Sequence, residues 1–345
     1  MIHLLDGMLA AQKALKTGTL ESDPTVYRGV VHETELPKGN KTWSEFLRAE
    51  KADSCKVAIL LHGSFCDSRM YPEDFVDFIR GQGFHVLAID HRGFGRSSWC
   101  RKEPLGVTDL ARDAFTVLRD VLGHEDLREP THLLAVGHSV GGYIVEELLR
   151  LHCQHKSGLG TCTASALLLC TAPWPEVAEG RYYKPKALKF LEQYAVAMLP
   201  REKFFSWWRI SESAKALEQL QKAVADFPEM RSGSEFPETA EVYAAEMEKQ
   251  ICRGSVNLLS PIPLEVVQKQ EEMLEVESWS LVKRVIIVHG HADQIFTWQA
   301  AEDLEKRWQQ RSIESVLKDF PGQGHMLQPS EWKRLQTALS QGILS

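Results

Sequence analysis

The sequence predicts an α/β architecture in which a doubly wound, mostly parallel sheet carries a helical insertion. Three observations predict it. The runs VAILLHG (57–63), FHVLAID (84–90) and HLLAVGHS (132–139) do not alternate polar and apolar residues, which is the pattern of strands buried on both faces. Between them, PEDFVDFIRGQG (72–83) and VTDLARDAFTVLRDVLG (107–123) space apolar residues by three and four and end in Gly, the common residue just past a helix C-terminus. Strands alternating with helices in this way build a parallel sheet covered on both faces.

The alternation continues with GGYIVEELLRLH as a helix and ALLLCTAPW as a strand, and it resumes much later with RVIIVHGHAD and IESVLKDFPG as strands and PSEWKRLQTALSQ as the last helix. From about 175 to 280 the rhythm stops. That stretch reads as helices and turns, with ALKFLEQYAVAML, SESAKALEQLQKAVADF and TAEVYAAEMEKQICRG as its helical patterns. The expected organisation is therefore a core of residues 1–174 and 281–345, with 175–280 inserted after the strand ending near Trp174. Such an insertion is most simply a cap over the C-terminal sheet edge, where α/β proteins bind ligands. The opening MIHLLDGMLAAQKALKTG spaces its apolar residues as an amphipathic helix, expected to dock on the body, with a dimer contact or a lipid surface as the alternatives.

Composition excludes several function classes. Of the 345 residues, 43% are hydrophobic and 25% charged, and no run approaches the roughly 20 apolar residues of a membrane span, so no stable membrane insertion is expected. The net charge of −7, from 40 basic and 47 acidic residues dispersed along the chain, offers no basic surface for a phosphate backbone, and nucleic acid is not an expected partner. The seven cysteines include no CxxC pair, which argues against a disulfide framework or a structural zinc site. With no secretory pattern at the start, the expected location is cytoplasmic. A homodimer is left open.

The chemistry centres on Gly137-His138-Ser139-Val140-Gly141, the only G-x-S-x-G in the chain. The pattern alone is weak. Its position between a buried strand and a helix opened by Gly141 and Gly142 is the setting that holds a serine in a strained, exposed turn. A serine hydroxyl needs a base to take its proton, and the base needs a third group to fix its tautomer. His325, in FPGQGHML, follows the last predicted strand, and Asp293, in HGHADQIF, follows the one before, so both fall at the edge that carries Ser139. Taken singly, Asp293 could instead cap a helix beginning near Trp298, and His325 could be a structural hydrogen bonder. Donors for a developing oxyanion are expected from the amide of Val140 and from that of Ser64, or Phe65, in the turn after the first core strand, where Gly63 permits close approach. This chemistry requires no cofactor and no metal.

LLHGS, AIDHRGFGRS, VGHSVGG, VHGHADQIF and PGQGHM, in this order, resemble the α/β-hydrolase superfamily, specifically its large capped group of esterases, lipases and relatives. The resemblance covers Val57 to Pro173 and Arg284 to the C-terminus. It implies the α/β-hydrolase fold, a Ser139–Asp293–His325 triad, a supporting turn over Asp90–Ser97, and a His62 that orients the oxyanion loop. Ser139 stands where capped epoxide hydrolases and haloalkane dehalogenases need an aspartate, and Val140 replaces the Trp that follows the serine in proline iminopeptidases.

The expected activity is hydrolysis of an ester or thioester of a largely apolar small or medium substrate, through an acyl-enzyme. Amide or C–C cleavage and acyl transfer could use the same triad, and a non-catalytic ligand receptor is the alternative of another class. Substrate contacts are expected from His138, Phe65, Trp174, Trp207 and Trp208, against plain packing for each aromatic residue. Trp279, Tyr182 and Tyr183 are similarly two-sided. Arg201, Lys203 and Arg209 read as a solvated face.

Overall fold

A computed structural model describes residues 29–51, 54–63, 67–92, 94–97, 106–174, 181–184, 276, 278–293, 295–327 and 329–340. The N-terminal amphipathic segment and nearly all of the expected cap lie outside these residues. The described strands are β1 (Val30–Leu36), β2 (Asn40–Leu47), β3 (Lys56–Leu61), β4 (His85–Ile89), β5 (His132–His138), β6 (Thr163–Leu169), β7 (Val282–His289) and β8 (Glu314–Asp319). The described helices are α1 (Glu73–Gly81), α2 (Val107–His124), α3 (Val140–Cys153), α4 (Trp298–Gln310) and α5 (Pro329–Ser340).

One eight-stranded sheet runs in the order β1-β2-β4-β3-β5-β6-β7-β8. The pairs from β4 to β8 are all parallel, while β1 with β2 and β2 with β4 are antiparallel. The β1–β2 hairpin was not anticipated, although Pro37–Gly39 between its strands is a legible turn. Gly39 adopts φ +74°, a left-handed conformation that glycine reaches without strain.

Each parallel strand divides its side chains between two cores. Val57, Ile59 and Leu61 of β3 and Leu133 and Ala135 of β5 pack with α2, α3 and α4, whereas Ala58, Leu60, Leu134 and Val136 pack with α1 and α5. Successive strand residues point to opposite faces, so a strand covered on both sides must be apolar throughout. The non-alternating runs satisfy this requirement. Two-sided burial at about 25 cal/mol per Å² of apolar surface makes this central block the main source of stability.

The helix ends differ from the expectation in an instructive way. α1 closes as predicted with Gly83 left-handed at φ +85°, the Gly83 N–H bonding Arg80 O and the Phe84 N–H bonding Ile79 O. Gly123, expected to end α2, lies inside the helix, and Asp126 (φ +51°) takes the left-handed place, with Leu127 N–H on Leu122 O. His155 and Ser312 do the same after α3 and α4. The 6→1 hydrogen bond satisfies orphan carbonyls whichever residue bears the left-handed φ, and glycine is only its cheapest occupant. Among the described residues, no helix is long and apolar enough to cross a membrane.

Candidate active site

Register brings the carboxyl ends of the central strands to one edge. Leu61 of β3 lies beside Gly137 of β5, and His138 lies beside Leu169 of β6. Ser139 follows at φ +52°, ψ −118°, with its N–H bonded to Leu169 O at 2.9 Å. A non-glycine residue at positive φ is strained and must be held by its surroundings. Thr171 donates its hydroxyl to the Ser139 carbonyl at 2.8 Å, and the Gly142 N–H reaches the same oxygen at 2.9 Å.

The glycines around the turn are demanded by contact. A Cβ on Gly137 would strike the Gly141 carbonyl, one on Gly141 would strike the Leu61 carbonyl, and one on Gly142 would strike the Thr171 side chain. The opening turn of α3 is thereby pressed onto the ends of β3 and β6. Val140 is the first residue of α3, so its N–H has no acceptor within the helix and is open to a ligand.

Asp293 and His325 meet at the same edge. His325 Nδ1 lies 3.0 Å from Asp293 Oδ2, and both side chains are buried. The other carboxylate oxygen accepts the N–H groups of Ile295 (2.7 Å) and Phe296 (3.0 Å), so Asp293 shapes its own loop and does not cap α4, whose N-cap is Thr297. Burial pushes the Asp293 carboxyl up, but His325, by charge and hydrogen bond, together with His289 and the Phe296 amide, leaves it below its ordinary value. The imidazole therefore faces a carboxylate.

Two further histidines shape the turn after β3. The His91 N–H donates to His62 Nε2 at 2.9 Å, which leaves the His62 proton on Nδ1, 2.8 Å from Gly63 O. His91 Nε2 in turn lies 3.0 Å from His62 O. Burial lowers His62 to about 4 and holds His91 well below the ordinary histidine value. Both rings are neutral struts. Asp90, which accepts the Ser68 N–H and the Arg96 N–H and guanidinium, fixes the neighbouring turn.

Gly63 is close to its neighbours for a reason other than substrate approach. A Cβ there would lie 2.7 Å from His138 Nδ1 and 3.2 Å from Ser139 Cβ, so the missing side chain lets this turn press against the serine. Ser64 and Phe65, the expected second oxyanion donors, lie outside the described residues, as do Trp207, Trp208, Arg201, Lys203 and Arg209.

Some expected substrate contacts are placed differently. His138 is buried, and its Nε2 is 2.8 Å from the His325 carbonyl, so its ring is engaged with backbone. Trp174 is a core residue, stacked on Tyr143 with ring centroids 5.3 Å apart; its backbone N–H donates to the Glu146 carboxylate and its backbone carbonyl accepts from Arg307. Trp279 packs edge-on against Trp308, and the Tyr182 hydroxyl reaches Asp303 at 3.2 Å. Phe296, which was not anticipated, stands with its ring 5.5 Å from that of His325. Its place just after Asp293 was the available signal.

The family described as serine aminopeptidase, S33, matches residues 52–331. The chain belongs to this family. It has the α/β-hydrolase fold. Among characterised proteins, the rhodomycin D methylesterase of Streptomyces peucetius is 37% identical over 78 residues, 22% of this chain and 25% of that protein. The multifunctional-autoprocessing repeats-in-toxin of Vibrio cholerae is 26% identical over 137 residues, 40% of this chain but 3% of the toxin. The matches thus span a quarter or less of those relatives. Among solved structures, a probable hydrolytic enzyme from Pseudomonas aeruginosa superposes with TM-score 0.62 at 17% identity, covering 93% of this chain and 96% of that chain. An esterase from Exiguobacterium antarcticum gives 0.60 at 15% identity, covering 92% and 100%. At such identities the likeness is one of fold.

Proposed function

We propose that this hydrolase cleaves a carboxylic ester or thioester of a largely apolar small or medium substrate, with Ser139 as nucleophile, His325 as general base and Asp293 orienting the base. The observation that carries the reading is the buried 3.0 Å contact between Asp293 and His325 at the sheet edge where Ser139 stands at positive φ. With its Nδ1 proton held by a carboxylate, the ring offers an unprotonated Nε2. That nitrogen takes the Ser139 Oγ proton as Oγ bonds to the carbonyl carbon, and the oxyanion is met by the Val140 amide. His325 then returns the proton to the leaving alcohol or thiol, giving an acyl-enzyme. Water, deprotonated by the same nitrogen, releases the acid and restores Ser139.

The partial similarity to a methylesterase supports an ester over other acyl substrates. The family's description as aminopeptidases favours amide cleavage as the second reading. Against it, Val140 follows the serine where iminopeptidases carry Trp. Turnover of p-nitrophenyl esters of increasing acyl length, beside aminoacyl p-nitroanilides, separates the two. Ester turnover that rises with acyl length and exceeds amide turnover is expected; faster anilide cleavage overturns the ester assignment. An unchanged, tightly bound ester would favour a receptor.

A further inference from the structure

The loop that carries His325 is held by bonds of its own and by neighbouring strand ends, Asp293 meeting the His325 ring at 3.0 Å and the Cys170 thiol, after β6, donating to Gly324 O at 3.7 Å. Within the loop, the buried Gln323 amide donates to Gly324 O at 2.6 Å and to Met326 O at 2.7 Å, which gives the segment its shape. The carbonyl between these two, that of His325 itself, is taken by a different element: His138 Nε2 reaches it at 2.8 Å from the end of β5. A carbonyl only accepts, so Nε2 bears the proton and Nδ1 is a bare lone pair. That lone pair packs against Gly63 and has no partner among the described residues. Burial lowers His138 to about 3, which keeps the ring neutral.

We propose that His138 is a positioning residue that fixes the distance between Ser139 and His325 by tying the base's own backbone to the residue preceding the nucleophile. The geometry has a mechanical reading. Gln323 can shape its loop but cannot locate it relative to β5, because its bonds are to its own neighbours. His138 locates it, since Ser139 is the next residue along the chain and the two rings, His138 and His325, lie with centroids 5.0 Å apart. One peptide unit and one hydrogen bond then connect nucleophile to base. A misplacement of about 1 Å between reacting groups costs up to about 100-fold in rate, so a link this short acts on kcat with little effect on substrate affinity.

The inference rests on the ester-hydrolase reading, and two side chains separate it from mere core packing. In His138→Gln the amide nitrogen reaches about as far as Nε2 and can donate to the His325 carbonyl; in His138→Asn it reaches only about as far as Nδ1 and cannot. Both fill similar space and carry the same amide. The experiment measures the rate of fluorophosphonate labelling and steady-state kcat and KM for the wild type, Ser139→Ala, His138→Gln and His138→Asn, with crystal structures of the two His138 variants. The expected result is kcat and labelling lower by about 10- to 100-fold in His138→Asn at nearly unchanged KM, recovery in His138→Gln, and a His325 carbonyl displaced in the Asn variant alone. Equal rates in the two variants, or a His325 carbonyl at the same place in both crystals, overturn the proposal. A wild type that takes no label defeats the serine reading instead, and the crystals still decide the clamp.

Discussion

The serine elbow and the loops carrying Asp293 and His325 meet at one sheet edge, but they are held there by opposite means. The elbow is fixed by what is missing: Gly137, Gly141 and Gly142 lack side chains where backbone and Thr171 crowd in, and the strained φ of Ser139 follows from that packing. The loops carrying Asp293 and His325 are fixed by polar bonds, with Asp293 receiving two amides and an imidazole, and with the His325 segment held through Gln323, His138 and Cys170. Steric fixation is indifferent to pH, whereas fixation by imidazole and carboxylate is not. Damage to the two regions should therefore look different.

The largest expected effect is chemical. Ser139→Ala leaves the elbow packed and its backbone strain unchanged but removes the attacking oxygen, and kcat should fall by about 10⁴ to 10⁶ while thermal stability is retained. A variant retaining most activity would break the account of the elbow. Asp293→Asn keeps the shape of the carboxylate but not its charge, and kcat should fall by about 10⁴ as the imidazole loses its required tautomer. A loss below tenfold in steady-state kinetics contradicts that role.

The elbow's steric character is tested by Gly141→Ala. The added Cβ meets the Leu61 carbonyl, and unfolding in urea should register a loss of about 3 kcal/mol, equal at pH 6 and pH 8. A neutral effect would mean that α3 is not pressed against β3.

The polar side is tested by acid. Buried His62 and His138 are held neutral, with pKa values near 4 and 3 against 6.5 for an unhindered ring. Between those values and 6.5 the unfolded chain binds more protons than the folded one, so stability is complete above about pH 6.5 and falls as pH drops toward 4. Melting temperature should decline over that window in the wild type and less steeply in His62→Gln. Identical slopes would mean that His62 is protonated without cost. Smallest is Thr171→Val, which removes the hydroxyl bonded to the Ser139 carbonyl and should cost about 1 kcal/mol by urea unfolding.

The same contrast explains what could be read in the sequence. Glycines around Ser139 are visible as letters, and so are apolar runs such as 132–138, because sterics and two-sided burial act on composition directly. The β1–β2 hairpin was overlooked because VVHETEL and NKTWSEFL mix polar with apolar residues, Thr42, Ser44 and Glu45 being buried, and so lack the continuous apolar run of a buried parallel strand, and Gly123 misled because Asp126, His155 and Ser312 show that the helix stop is a backbone bond open to other residues. The Asp293–His325 contact was legible from the place of each residue just past one of two successive strands and from the Ser, Asp, His order along the chain. The clasp of His62 with His91, and the engagement of His138 with the His325 loop, depend on which ring nitrogen faces which carbonyl, a relation between positions far apart in the chain. Trp174 read equally as substrate contact or as packing, and it is buried in the core; an aromatic residue has the same letter in either place.

The central claim is that Ser139 is an activated nucleophile, and intact-protein mass after fluorophosphonate exposure tests it most directly. The account predicts one adduct on the wild type and none on Ser139→Ala. No adduct on the wild type, or an equal adduct on both proteins, would contradict it.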